Sequence, residues 1–234
     1  MWLYPAVGVL AWESAGGVVR ERGIRYTEHM SSVVVQTGLF GRESPTVDTS
    51  FSRRVRHALE QGSWVDHTPG FVRGHETVFE HLRQHTRWQS GRRMMYDRMV
   101  DVPRLLATLP EDSPGHPVLR RAGRVIIDRY NVRIRRAHLL LYRDGSDSVA
   151  THSDRGQASV PGAMTITMSF GTPRALHLRA KSGGRTRVFH LGWGDLFVMG
   201  PTLQRTHLHG VPKVAHAPPR LAVVFWCHQR EGEQ

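Results

Sequence analysis

The sequence predicts an α+β protein, a jelly roll or sandwich of about eight short strands with helices on its N-terminal side. Three observations predict it. Beyond Asn131, short runs rich in β-branched and aromatic residues alternate with turn signals such as Asp144-Gly145 and Ser182-Gly183-Gly184. Before Asn131, apolar residues recur at helical spacing. The chain has 234 residues, 39% hydrophobic and 22% charged, which suits a packed globular domain.

Residues 52–61 carry Val55, Ala58 and Leu59, a short helical pattern. Residues 64–66 and 70–72 flank a His-Thr-Pro turn and read as short strands or a hairpin. Residues 74–85 form a better helix, with Val78, Phe79 and Leu82 on one face. Residues 87–103 mix Trp88, Met94, Met95, Tyr96 and Met99 with several arginines. Pro117–Tyr130 is again amphipathic, through Val118, Leu119, Val125, Ile126 and Ile127. The strand-like runs are 133–143, 148–152, 164–170, 175–180, 185–191, 195–198, 205–208 and 221–228.

Residues 1–29 read as an N-terminal extension of open status. They have an apolar opening but no basic stretch before it and no cleavage site, so a signal peptide is not expected. Residues 30–234 are expected to form one domain, with helical support and a substrate lid over 30–130 and the jelly-roll core over 131–234. The longest apolar runs, 6–12 and 221–227, fall far short of the ~20 residues that span a bilayer. No membrane association is expected. Cys227 is the single cysteine, which excludes an intrachain disulfide and a cysteine-rich zinc module. A cytoplasmic monomer is the expectation.

Lysine and arginine number 32 against 20 acidic residues, a formal charge of +12. Such an excess favours a polyanionic partner, nucleic acid first. Lys181 and Lys213 are the only lysines. A GC-rich coding bias would account for arginine over lysine, but not for the excess itself.

His152-Ser153-Asp154 places an imidazole and a carboxylate at i and i+2, on one face of a strand or its end. His209 follows within Thr206-His207-Leu208-His209-Gly210. Two histidines and one carboxylate make a facial triad for non-haem Fe(II), with open positions for cosubstrate and oxygen. Among 15 histidines, chance H-x-D pairs are expected, so the spacing alone is weak.

The surrounding residues carry more. Leu141-Tyr142-Arg143-Asp144-Gly145 leads into the H-x-D pair. Met168-Ser169-Phe170-Gly171-Thr172-Pro173-Arg174, then Gly194-Asp195-Leu196-Phe197-Val198-Met199-Gly200, Gln204-Arg205-Thr206, His209-Gly210-Val211-Pro212-Lys213 and Pro219-Arg220-Leu221 follow in order. Upstream stands Arg92-Arg93-Met94-Met95-Tyr96-Asp97-Arg98-Met99-Val100-Asp101-Val102-Pro103. Together these blocks resemble the AlkB family of Fe(II)/2-oxoglutarate dioxygenases, in its bacterial alkylated-DNA repair branch.

The resemblance implies a double-stranded β-helix with Fe(II) at its mouth and 2-oxoglutarate and O2 as cosubstrates. It implies oxidative demethylation of N-alkylated bases of the 1-methyladenine and 3-methylcytosine type in single-stranded or damaged DNA. There 2-oxoglutarate is decarboxylated to succinate, and the hydroxylated N-methyl group leaves as formaldehyde. Iron ligation falls to His152, Asp154 and His209. Arg220 takes a carboxylate of 2-oxoglutarate, and Tyr142 donates its hydroxyl to it. Arginine's rigid fork suits that carboxylate.

Four positions depart from the family pattern. Leu140 replaces the asparagine two residues before the tyrosine. Ala222 and Trp226 replace the asparagine and second arginine of the closing strand. Thr151 stands where a tryptophan commonly precedes the first iron histidine. Arg133, Arg135 and Arg136 are nearby cations for compensation.

A base attacked at its pairing edge is flipped out and stacked, and single-strand binders combine aromatics with a basic groove. Trp88, Arg92, Arg93 and Tyr96 lie where the family carries its nucleotide-recognition lid, and core packing is the competing role for the methionines and aromatics there. Arg155, beside the ligand Asp154, is a further candidate for base or phosphate. Two alternatives remain: the same chemistry on RNA, a protein or a specialised small molecule, or a weakened AlkB-like protein that only binds nucleic acid.

Overall fold

The computed structural model describes residues 44–95, 98–109 and 115–230. The side chains of residues 93–101 and of Arg155 fall outside that description. Residues 37–234 form one compact unit. In chain order its strands and helices are β1 (Thr46–Val47), β2 (Val55–Ala58), β3 (Trp64–Thr68), β4 (Val72–Arg73), α1 (His75–His85), β5 (Gln89–Met95), β6 (Arg98–Leu109) and α2 (Pro117–Tyr130). Then follow β7 (Val132–Tyr142), β8 (Val149–His152), α3 (Arg155–Ala158), β9 (Ala163–Gly171), β10 (Arg174–Ala180), β11 (Arg187–Leu191), β12 (Asp195–Met199), α4 (Leu203–Thr206), β13 (His207–Val211) and β14 (Arg220–Gln229).

Two sheets face each other. The larger runs β2-β3-β12-β9-β14-β7-β6-β5 and the smaller β11-β10-β13-β8. Both are antiparallel throughout. This is the double-stranded β-helix arrangement that the resemblance implies.

Period-two alternation decides what each face of the larger sheet does. On β14, Leu221, Val223, Phe225 and Cys227 join the core beneath α1 and α2, with Val78, Phe79, Leu82, Leu119, Ala122 and Ile126. On β9, Met164, Ile166, Met168 and Phe170 do the same. The intervening residues face the smaller sheet. There Tyr142, Phe197, Met199 and Ala222 meet Leu176, Leu178, Leu191 and Val211 in a second core. Arg220, Thr165 and Ser169 lie on that same face by register, and each is buried.

Helix α2 forms where the sequence predicts it, with stop and start signals at both ends. His116 accepts the Val118 N–H through Nδ1 at 3.2 Å, Pro117 opens the first turn, and Asn131 closes the helix at φ 47°.

Three sequence expectations need correction. Residues 52–61 are not helical: β2 pairs with β3, and a 3-10 turn, Glu60–Gly62, follows. The helical spacing of Val55, Ala58 and Leu59 is overridden by that pairing, in which Arg56 reaches buried Asp66 at 2.7 Å. Strands β3 and β4 are the short strands expected there, without a hairpin between them: β3 lies between β2 and β12, and β4 pairs with β1. Residues 205–208 are not one strand, because α4 ends at Thr206 before β13 begins. The N-terminal part is not mainly helical either. It contributes β2, β3, β5 and β6 to the larger sheet. Residues 1–29 and Tyr96 lie outside the described residues.

Candidate metal centre

Strand β8 ends on His152, and β13 carries His209 directly opposite it in the register. Gly210 permits the approach: a Cβ there would stand 2.9 Å from the Val149 carbonyl oxygen. The chain then leaves β8 through Ser153 and caps α3 with Asp154. One potential ligand atom from each of His152, Asp154 and His209 lies within 4.8 Å of the others. Among the described residues this is the one such cluster.

The donor set fits a divalent cation. His152 Nδ1 lies 2.9 Å from the Ala150 carbonyl oxygen, which only accepts, so Nδ1 carries the proton. In the neutral ring, Nε2 then turns a lone pair toward Asp154 Oδ1, 3.3 Å away. His209 Nε2 stands 3.9 Å from Asp154 Oδ2. Burial pushes the His209 imidazole down to about 4, against the opposing Asp154 charge and with help from His152. The 3.9 Å approach is therefore not an ion pair at neutral pH. Burial would raise the Asp154 carboxyl, but His152, His209 and the Thr165 hydroxyl outweigh it and hold it below the usual range. Two imidazoles and a carboxylate thus converge. That is the chemistry of an Fe(II) site. His209 Nδ1 is buried without a hydrogen-bond partner.

Asp154 is itself held. Gln204 and Thr165, both buried, hydrogen-bond its carboxylate. The sequence reading did not single out either residue.

Deeper in the barrel lies Arg220, 3% exposed. Its Nε donates to the Leu191 carbonyl at 3.0 Å and its Nη2 to Ser169 Oγ at 2.7 Å. The guanidinium carbon lies 5.2 Å from the Tyr142 ring centre. Among the described residues no carboxylate lies within ion-pair distance of it. Burial pulls this guanidinium below its ordinary pKa, with Tyr142 opposing. A buried cation with no carboxylate in contact is costly, and the terminal carboxylate of a bound 2-oxoglutarate would offset that cost. The residues present therefore fit the cosubstrate.

The departures cluster together. Leu140 and Ala222 are register partners on β7 and β14. Trp226 packs its ring edge-on against His138, 5.2 Å between centres. His138 Nε2 is buried without a partner. Burial and Arg136 lower its pKa while Asp154 opposes them. His138 is thus a polar group in this region that sequence reasoning missed; a histidine on an apolar strand carries no motif. Arg133, Arg135 and Arg136 are exposed at the start of β7.

Of the proposed substrate residues, Trp88 lies just before β5 and Arg92 and Arg93 on it, in the hairpin at the edge of the larger sheet. Arg92 is exposed on β5. Arg93 is on β5 and Arg155 opens α3, as backbone positions only. Trp88 is half-buried against the helix-side core and donates its indole N–H to the Arg83 carbonyl at 3.0 Å. The hairpin is fastened beside the metal strand: Ser148, just before β8, donates its N–H to the Pro103 carbonyl at 2.7 Å, and Arg104 Nη1 donates to the Ser148 carbonyl at 3.1 Å. His207 turns to other partners, Thr206 Oγ1 at 2.8 Å and Glu60 Oε2 at 3.2 Å.

Fold and site together define a jelly-roll protein with a two-histidine, one-carboxylate centre. Residues 48–231 match the 2OG-Fe(II) oxygenase superfamily, and the chain belongs to it. Fe(II), 2-oxoglutarate and O2 are the cofactor and cosubstrates of that family. The chain is similar to "Alpha-ketoglutarate-dependent dioxygenase alkB homolog 3" of Homo sapiens, 29% identical over 181 residues, covering 67% of this chain and 63% of that protein. The same protein of Bos taurus is 28% identical over the same shares. The chain thus spans 63% of the length of these relatives. Among solved structures, "The structure of OsALKBH1" shares the fold, with a TM-score of 0.54 and 13% identity, over 75% of this chain and 100% of that one. The AlkB resemblance of the sequence agrees with these likenesses. No helix among the described residues is long and apolar enough to cross a membrane.

Proposed function

We propose that the protein is an oxidative demethylase of N-alkylated nucleobases in DNA, with His152, Asp154 and His209 as iron ligands and Arg220 and Tyr142 as the cosubstrate anchors. The observation that carries this reading is the His-Asp-His cluster at the edge of the smaller sheet together with a buried arginine, free of any carboxylate contact among the described residues, on the larger sheet that faces it. When bound, Fe(II) and 2-oxoglutarate supply oxidative decarboxylation coupled to hydroxylation of the N-methyl group.

The chain's own part is placement. His152, Asp154 and His209 would hold the metal through three ligands and leave positions open for cosubstrate and oxygen. Arg220 and Tyr142 fix the far carboxylate of 2-oxoglutarate, and the second core walls the pocket from water. The arginine-rich β5–β6 hairpin and the net charge of +12 support a nucleic-acid substrate. Arg92, Arg93, Tyr96 and Arg155 are the proposed strand contacts. Trp88 buttresses the hairpin as well as serving as a candidate for stacking, since its N–H is already engaged.

The test incubates the protein with Fe(II), ascorbate, 2-oxoglutarate and oligonucleotides carrying 1-methyladenine or 3-methylcytosine. Loss of the methyl mass with stoichiometric formaldehyde is expected. Succinate formation with no change in any oligonucleotide would move the reading to RNA, a protein or a small molecule.

A further inference from the structure

We propose that Gln204 and Thr165 are positioning residues that commit Asp154 to bind its metal through Oδ1 alone. The inference rests on the metal-centre reading above and adds to it how the carboxylate is aimed.

The hydrogen-bond directions are forced one by one. The Asp154 backbone N–H only donates, and it lies 2.8 Å from one terminal atom of the Gln204 side chain. That atom is therefore Oε1, which settles the amide orientation. Nε2 then faces Asp154 Oδ2 at 3.1 Å and Thr165 Oγ1 at 3.1 Å. An amide nitrogen has two hydrogens, and each now has an acceptor. Thr165 Oγ1 is already accepting, so its own hydrogen goes to Asp154 Oδ2 at 3.1 Å. Oδ2 thereby receives two donors, which fills its in-plane lone pairs. Oδ1 is left toward His152 Nε2 at 3.3 Å.

The clamp is rigid and dry. Gln204 is 1% and Thr165 2% exposed. Thr165 stands on the interior face of β9 and Gln204 on the single turn α4. Lys181, one of two lysines in the chain, holds that turn by donating from Nζ to the Gln204 carbonyl at 2.9 Å. A carboxylate free of these donors can rotate and chelate through both oxygens, which takes up a position that cosubstrate or oxygen needs. Groups that orient metal ligands in this way affect metal affinity by roughly 10–100-fold.

The experiment titrates Mn(II) into the purified full chain by calorimetry, without 2-oxoglutarate, and records the visible absorption of the Co(II)-loaded protein. Gln204→Leu and Thr165→Val are expected to bind Mn(II) roughly 10–100-fold more weakly and to change the Co(II) band. Thr165→Ser keeps the hydroxyl and is expected to restore both. Thermal midpoints of the metal-free proteins separate lost aim from lost fold, and Thr165→Val, near-isosteric, carries the test should Gln204→Leu not fold. Mn(II) affinities within twofold of the parent in both variants, with an unchanged Co(II) band, overturn the inference and leave the metal centre standing. Failure of the parent chain to bind Mn(II) at all overturns both.

Discussion

Thr165 and Ser169 stand four residues apart on the same face of β9, and each is tied to a different half of the site. Thr165 donates to Asp154 at 3.1 Å and Ser169 accepts from Arg220 at 2.7 Å. At about 3.3 Å per residue, one strand therefore sets a spacing of roughly 13 Å between the two attachment points. The centre of β14 lies alongside, Ala222 opposite Ser169 and Trp226 opposite Thr165. A dicarboxylate stretched between metal and arginine is measured against this single rigid element.

The metal assignment predicts one divalent ion per chain. His152→Ala, Asp154→Ala and His209→Ala are each expected to abolish turnover and lower bound metal severalfold or more, checked by elemental analysis after dialysis. Full metal and activity in His209→Ala would transfer the role elsewhere. His207 is a poor replacement, because Thr206 and Glu60 occupy its two nitrogens.

Arg220 predicts a split between binding and stability. Arg220→Met is expected to lose 2-oxoglutarate affinity by roughly 10–100-fold, the worth of one charged hydrogen bond of about 1.5–3 kcal/mol. Exchanging a buried charge that touches no carboxylate for an apolar side chain of similar length is expected to leave the thermal midpoint unchanged or raised. Calorimetry with Mn(II) in place of iron reads the first and thermal denaturation the second. An unchanged affinity would send the role to another cation, with Arg133, Arg135 and Arg136 tested next.

Trp226 fills the position of the family's second arginine and rests against His138. Trp226→Arg is expected to leave 2-oxoglutarate affinity unchanged or to tighten it, measured by the same calorimetry. A marked weakening would show that the Trp226–His138 contact shapes the pocket rather than merely filling it.

Association with single-stranded DNA is expected to weaken with salt, since arginine–phosphate contacts release counterions. The slope of log affinity against log salt between about 50 and 200 mM measures it. A flat response would speak against a nucleic-acid substrate and for a small molecule.

Asp66 predicts an acid-labile fold. Burial would raise its carboxyl, but Arg56 and Arg54 outweigh that and hold it below the ordinary value. A depressed folded-state pKa contributes stability that is complete above the unfolded value, near 3.9, and is lost as pH falls through the folded value. Asp66→Asn is expected to cost about 3–5 kcal/mol at neutral pH, the loss typical of breaking a buried pair. The gap between variant and parent should close in strong acid. Denaturant midpoints at neutral pH and near pH 2 test both halves.

Much of this was legible in the chain. The H-x-D pair starts at the end of strand β8, and its two side chains converge although Asp154 already lies beyond the strand. Helix α2 carries its start and stop signals in Pro117 and Asn131. What was not legible is long-range or too short to have a period. Gln204 meets Asp154 across 50 residues of sequence, and the one-turn α4 has no repeat to detect, so it merged with β13 into one apparent strand. The β5–β6 hairpin mixes arginine with methionine without alternation, so composition marked its charge but not its strands. Arg56 and Asp66 turned an apparent helix into an edge strand through a contact no local pattern announces.

The smaller sheet ends on β8, and β8 is joined to β13 at only two register positions, with an irregularity between them. The strand that brings His152 to the site is therefore weakly stitched along its length. A metal shared by His152 and His209 would act as a rivet across that seam, closing a loop of more than fifty residues. Apo chains should fray there first, with fast amide exchange in β8, and metal loading should slow it. Iron in such a seam finishes the wall of its own pocket.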